Sequence, residues 1–224
     1  MADLASHGSV SEGVRLPERL AILTDLDGTL VDSRASAEAA FRWWVEYRGL
    51  GEEALANFPF GRKSTELVAE LAPELDAERE GALLERRQSK HTEGVVAVPG
   101  AAELLRDHGR LIIATSGTLE LARARLARAG LAVPPLILTA EDWEHGKPDP
   151  EPYLTAAERL GADPAECLIL EDSPPGVQSG VAAGIPVIAI LTSYAAEELP
   201  GAVAYLPSLE GLAEAAASLG LSAA

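Results

Sequence analysis

Short apolar runs alternate along most of this chain with stretches whose apolar positions recur every three or four residues. Leu20, Ala21, Ile22 and Leu23 form one such run and predict a buried strand. After Ser33 the period changes. In "ASAEAAFRWWVEYRGL", Ala40, Phe41, Trp44, Val45 and Arg48 fall at helical spacing, and Gly49 supplies a stop. "STELVAELAP" and "DAEREGALLERRQSKHTEG" predict two more amphipathic helices, separated at Pro73. Residues 34–94 therefore contain helix candidates and no strand candidate. Beyond them the alternation returns. Strands are expected at 110–115, 136–139, 167–171 and 186–191, with helices at 119–130, 151–161, 175–184 and 209–220.

Strands separated by helices of about ten residues predict an α/β fold, a Rossmann-like parallel sheet with helices on both faces. The helical block leaves after the first strand and returns before the second. It reads as an all-helical cap inserted on one loop, above the sheet edge where such folds bind ligands. The expected organisation is a loose extension over 1–17, an α/β core from 18–33 and 95–224, and a cap over 34–94.

Composition narrows the class. Hydrophobic residues make up 47% of the 224 and charged residues 24%, the balance of a globular chain. Eighteen basic residues against 35 acidic give a net charge of −17, a field that repels nucleic acid and anionic membranes. It also repels an anionic substrate, so a phosphate site here requires local cations. The single cysteine, Cys167, opens the apolar run "CLIL"; it reads as a buried structural thiol and fits a reducing compartment. No apolar stretch approaches the roughly 18 residues of a membrane span. The first residues lack the basic start and apolar core of a signal peptide. A soluble, cytoplasmic protein is expected. Nothing in the chain sets its oligomeric state, and a monomer suffices for this reading.

The fold demands that whatever follows each strand converge on one place. The first strand runs into Asp25 and Asp27, two positions apart and so on one face of an extended chain. Two neighbouring carboxylates are costly without a cation or a shared proton. The strand at 110–115 ends in Thr115, Ser116 and Gly117, leading into a helix start whose free N–H groups suit an anion. After 136–139 a proline-stiffened loop carries Lys147, and 167–171 ends in Glu171 and Asp172. Carboxylate oxygens in a partly hydrated site suit Mg²⁺, which leaves positions for phosphate oxygens. No His or Cys stands among these groups, which argues against zinc or copper.

With "DLDGT" at 25–29, "ATSG" at 114–117, "GKPDP" at 146–150 and "LILEDS" at 168–173, the chain resembles the haloacid dehalogenase-like (HAD) hydrolase superfamily. The resemblance runs from about residue 20 to 215, and the helical block sits where one subgroup carries its cap. Stretches such as "VPGAAELL" and "LEDSPPGVQSGVAAG" are similar to small sugar- and polyol-phosphate phosphatases. The resemblance implies that Asp25 is the nucleophile, forming an aspartyl-phosphate, and that Asp27 protonates the leaving alcohol and then takes a proton from water. Thr115 is implied to bind a phosphoryl oxygen with help from Ser116 and Gly117, and Lys147 to neutralise charge beside the nucleophile. Asp25, the carbonyl of Asp27 and Asp172 are implied to hold Mg²⁺, with Glu171 a further candidate ligand. Dehalogenases lack an acid at the place of Asp27, so phosphoryl transfer is expected. In the cap, Arg62 or Lys63 is expected to contact the substrate, whereas Trp43 and Trp44 suit cap packing. A phosphomutase of the same fold and a non-catalytic phosphate-binding scaffold are the competing readings.

Overall fold

A computed structural model describes residues 16–55 and 63–221. The core is a six-stranded parallel sheet of β1 (Ala21–Thr24), β4 (Leu111–Ala114), β5 (Ile137–Leu138), β6 (Cys167–Glu171), β7 (Val187–Ile190) and β8 (Ala204–Leu206), in the order β5-β4-β1-β6-β7-β8. The chain builds outward from β1 to β4 and β5 on one side, then crosses to β6, β7 and β8 on the other. Such a reversal is where an open parallel sheet forms its ligand crevice.

Period-two alternation divides the buried side chains between the two faces. Ile22, Ile113, Leu168 and Ile188 join one apolar cluster, covered by α4 (Ala101–Asp107), α5 (Leu119–Arg128) and α8 (Leu212–Ser218). Leu23, Ile112, Ile169 and Val187 join the other, covered by α6 (Glu151–Leu160) and α7 (Pro174–Ala182). Burial on both faces is why these strands read as continuous apolar runs.

The cap consists of α1 (Arg34–Arg48), α2 (Ser64–Leu71) and α3 (Ala77–Lys90) around a separate apolar cluster that includes Phe41, Trp44, Leu67, Val68 and Leu84. Trp44 is fully buried there, and Trp43 stacks on Tyr47 at 5.1 Å, so both tryptophans serve cap packing. Gly49 takes the left-handed conformation that stops α1 (φ 67°).

Four elements lie outside the expected pattern. β2 (Val31–Asp32) and β3 (Val96–Ala97) pair antiparallel at the base of the cap, each two residues long and too short to show a period. α4 has seven residues, and β8 is an edge strand whose Tyr205 is exposed, so neither carries an uninterrupted apolar signal. The last expected helix begins as a 3₁₀ turn over Leu209–Gly211 and is α-helical only over Leu212–Ser218. Cys167 is buried, its thiol donating to the carbonyl of Asp163 at 3.3 Å.

Candidate active site

Asp25 follows the last paired residue of β1, and its N–H still donates to the carbonyl of Leu170 at 2.9 Å. Its carboxylate meets Lys147, whose Nζ donates to Asp25 Oδ1 at 2.5 Å, to Glu171 Oε1 at 2.7 Å and to the carbonyl of Ala114 at 3.1 Å. These three acceptors use all three ammonium protons. The Lys147 side chain is 1% exposed, so neither water nor salt dilutes these contacts. Burial works against the charged lysine, but Asp25 and Glu171 outweigh it and raise its pKa. For Asp25 the balance goes the other way. Burial leads, Glu171 and Asp27 add to it, and its pKa is pushed up to about 7 despite Lys147.

Glu171 is held on both oxygens. Oε1 accepts from Lys147 and from the Tyr153 hydroxyl at 2.8 Å, while Oε2 accepts from the N–H groups of Asp172 and Ser173 and from the Ser173 hydroxyl. Five donors saturate a carboxylate with no exposed surface. Its oxygens are turned to protein donors, and through Lys147 they aim the ammonium at Asp25. Burial opposes its charge, yet Lys147 and these donors hold its carboxyl below the usual range.

Asp27 is held by other partners. Its Oδ1 accepts from Ser33 Oγ at 2.7 Å, and its Oδ2 pairs with Arg125 Nη1 at 2.5 Å. Arg125, on α5 and 4% exposed, also donates to Gln88 of α3, so one guanidinium touches both the second aspartate and the cap. Sequence reasoning missed Arg125. Its spacing of three and four from the buried Ala122 and Leu121 places it on the inward face of α5, and an inward arginine in such a helix was the available signal.

Thr115 follows β4 directly, is 2% exposed, and accepts the N–H of Gly117 at its Oγ1 (3.1 Å). The N–H groups in the turn leading into α5 are thus partly engaged within the protein, for Thr118 N–H donates to Glu85 of the cap at 3.0 Å. Core and cap enclose a cavity of about 80 Å³ that includes Asp25, Asp27, Thr115, Ser116, Gly117 and Glu85 among its lining. It holds several water-sized groups, which suits a small ester and not a polymer. Lys63 lies elsewhere. It lines an outer groove with Glu66 and His145, against Gly146, and the structure does not bring it to the cavity. Arg62 lies outside the described residues.

The metal expectation can be tested on the protein atoms. Asp172 Oδ2 is buried and, beyond the nearby Ser193 hydroxyl, has no hydrogen-bond partner among the described residues. Gly28, at φ 87°, lies so close that a Cβ there would come within 1.8 Å of that oxygen. Burial, reinforced by Glu171 and Asp25, raises the pKa of Asp172 well above the carboxylate range. An orphaned carboxylate oxygen near a second carboxylate fits a hard cation. Among the described residues no group of three His, Cys, Asp or Glu side chains is disposed to hold a metal by itself. The donors that fit are two carboxylates, Asp25 and Asp172, with the carbonyl of Asp27, and Mg²⁺ sites commonly use one or two carboxylates completed by water and phosphate.

A parallel sheet with four motif-bearing strand ends beneath a helical cap defines a class. The chain matches the family model for haloacid dehalogenase-like hydrolases over residues 22–190 and belongs to that family. It is 43% identical over 175 residues to hexitol phosphatase A of Escherichia coli (strain K12), covering 75% of this chain and 81% of the relative. It is 37% identical over 213 residues to a plasmid-encoded phosphoglycolate phosphatase of Cupriavidus necator, covering 86% and 90%. Among solved structures, a hydrolase from Pseudomonas syringae superposes with a TM-score of 0.73 at 26% identity, covering 92% of this chain and all of that one.

Proposed function

We propose that this protein is a Mg²⁺-dependent phosphatase of a small sugar or polyol phosphate monoester, working through an aspartyl-phosphate. The observation that carries the reading is the Asp25–Lys147–Glu171 array, a buried carboxylate held by a saturated lysine at the floor of a capped cavity. The 43% identity to a hexitol phosphatase supports the choice of ester.

Asp25 attacks phosphorus in line, the bond to the leaving oxygen breaks, and Asp27 supplies the proton that the departing alcohol needs. Asp27 then takes a proton from the water that attacks the aspartyl-phosphate, and inorganic phosphate leaves with Asp25 regenerated. Thr115 binds a phosphoryl oxygen, with Ser116 and Gly117 beside it, while Lys147 stabilises charge at the nucleophile. Asp25, the carbonyl of Asp27 and Asp172 would hold Mg²⁺, which supplies positive charge opposite the phosphoryl oxygens. The cap keeps bulk water from the cavity and so strengthens each of these contacts. The partner in this reading is a small phosphate ester in the cytoplasm, not nucleic acid or membrane. Among the described residues no helix is long and apolar enough to cross a membrane.

The test is phosphate release from a panel of phosphorylated sugars and polyols with Mg²⁺ present. Wild-type protein should release phosphate, and Asp25→Asn should lose all but a few per cent of the rate while keeping its circular dichroism, because an amide does not attack phosphorus. An isomerised sugar phosphate without released phosphate would point to a mutase instead.

A further inference from the structure

Charge is unevenly matched around the cavity. Arg34 has two nitrogens on Asp32, and Arg125 is shared between Asp27 and Gln88. Lys147 is enclosed by Asp25 and Glu171. Each of these cations already faces a carboxylate of the protein. Glu85 is matched less closely: burial leads and raises its pKa above the ordinary value, although the Thr118 hydrogen bond and the charge of Arg125 act against that. It projects from α3 into the lining of the same cavity, its Oε2 anchored by Thr118 N–H, and among the described residues it forms no ion pair. The phosphate-binding groups Thr115, Ser116 and Gly117 belong to the core, so an ester bound there turns its leaving group toward the cap. On that side Glu85 stands beside Leu67, Leu84 and Phe41.

Resting on the phosphatase reading above, we infer that Glu85 determines specificity at this site: its carboxylate accepts hydrogen bonds from the hydroxyls of a neutral leaving group and repels a leaving group that carries a carboxylate. An ionised carboxylate only accepts, and a polyol offers it donors. A polyol also turns C–H edges toward the three apolar side chains. A carboxylated leaving group brings a like charge into a partly buried space, where the repulsion is weakly screened and, among the described residues lining it, no unpaired cation answers it. Thr118 fixes the glutamate, so it cannot swing away without giving up that hydrogen bond.

Two esters of similar size separate these chemistries: glycerol 1-phosphate, with two free hydroxyls, and 2-phosphoglycolate, with a carboxylate. Initial rates of phosphate release are measured for the whole protein with Mg²⁺, for wild type, Glu85→Gln and Glu85→Lys. Wild type should favour glycerol 1-phosphate in kcat/KM by about a hundredfold. Glu85→Gln should narrow that preference by about tenfold, which corresponds to 1.4 kcal/mol, partly through a faster reaction of 2-phosphoglycolate. Glu85→Lys should move it further in the same direction. A wild-type preference below tenfold overturns the inference without any variant, so poor folding of the variants leaves it decidable. An unchanged preference in folded variants, checked by thermal melting, overturns it as well. Release of phosphate from both esters without discrimination sinks the role of Glu85 alone. No release from any ester of the wider panel sinks the phosphatase reading, and this inference with it.

Discussion

Asp25 and Asp27 are the same residue type two positions apart, and their partners give them different work. Asp25 is fastened by a lysine that three acceptors immobilise, which suits a nucleophile that must meet phosphorus in one orientation. Asp27 is fastened by Ser33 and by an arginine that also reaches the cap, which suits a group whose orientation follows the closed state. Arg125→Met should therefore lower kcat by about a hundredfold, within the range for general acid–base catalysis, while KM changes little. Arg125→Lys keeps the charge but lacks the fork that serves two partners, and should fall between. A variant with wild-type kcat would remove Arg125 from the mechanism. The carboxylates were legible in the sequence because they interrupt an apolar strand. Arg125 was hidden, since one arginine among the three basic residues of "LARARLARAG" differs from the others only by the face it occupies.

Among the elements, α3 joins cap to core. Glu85, Gln88 and Ser89, spaced as neighbours on one helical face, bond to Thr118, Arg125 and Glu120 of the α5 segment. Its other side is tied into the cap through Glu80, which accepts from Trp44 Nε1 at 2.9 Å and from Arg48 at 2.7 Å through Nε. Burial disfavours the Glu80 charge, but Trp44 and Arg48 overcome it and lower the pKa below the ordinary 4.5. A carboxyl depressed in the folded state contributes stability that is present above its unfolded pKa and lost as pH falls through the folded one. Glu80→Gln should accordingly melt a few degrees lower than wild type at pH 7, and the difference should shrink as pH falls below about 4. A pH-independent difference would mean that lost packing, not charge, sets the effect. Helices α1 to α3 were legible from their period, but their pairings were not, because a polar residue on an amphipathic helix does not announce which neighbour it meets.

At the scale of the whole molecule, a chain of net charge −17 gathers Asp25, Asp27, Glu171 and Asp172 at one sheet edge, against Lys147 and Arg125. Like charges gathered this way weigh against the folded state, and a bound cation would offset them. Mg²⁺ that binds the folded protein alone should raise the melting temperature, by about 2.7 kcal/mol of stability at one hundred times its dissociation constant. EDTA should abolish phosphate release and reverse the shift. Asp172→Asn, which removes a buried like charge together with a proposed ligand, should melt higher than wild type in EDTA and respond less to Mg²⁺. An equal Mg²⁺ response in that variant would place the ion elsewhere.

The sequence by itself determined the parallel sheet, the inserted helical cap and the identity of Asp25, Asp27, Thr115, Lys147 and Asp172 as the groups gathered at the strand ends. Buried strands and amphipathic helices leave periods in the chain, and a parallel sheet places its carboxyl ends along one edge. Only the tertiary structure decided that Glu171 is saturated by Lys147, Tyr153 and its own following turn, that Arg125 pairs with Asp27, and that Lys63 lines a separate groove while Glu85 lines the cavity. These facts depend on rotation about helix axes and on contacts between segments 18 to 98 residues apart in the chain. A residue's type and spacing fix the face it occupies on its own element, but what that face meets is set by how the elements pack.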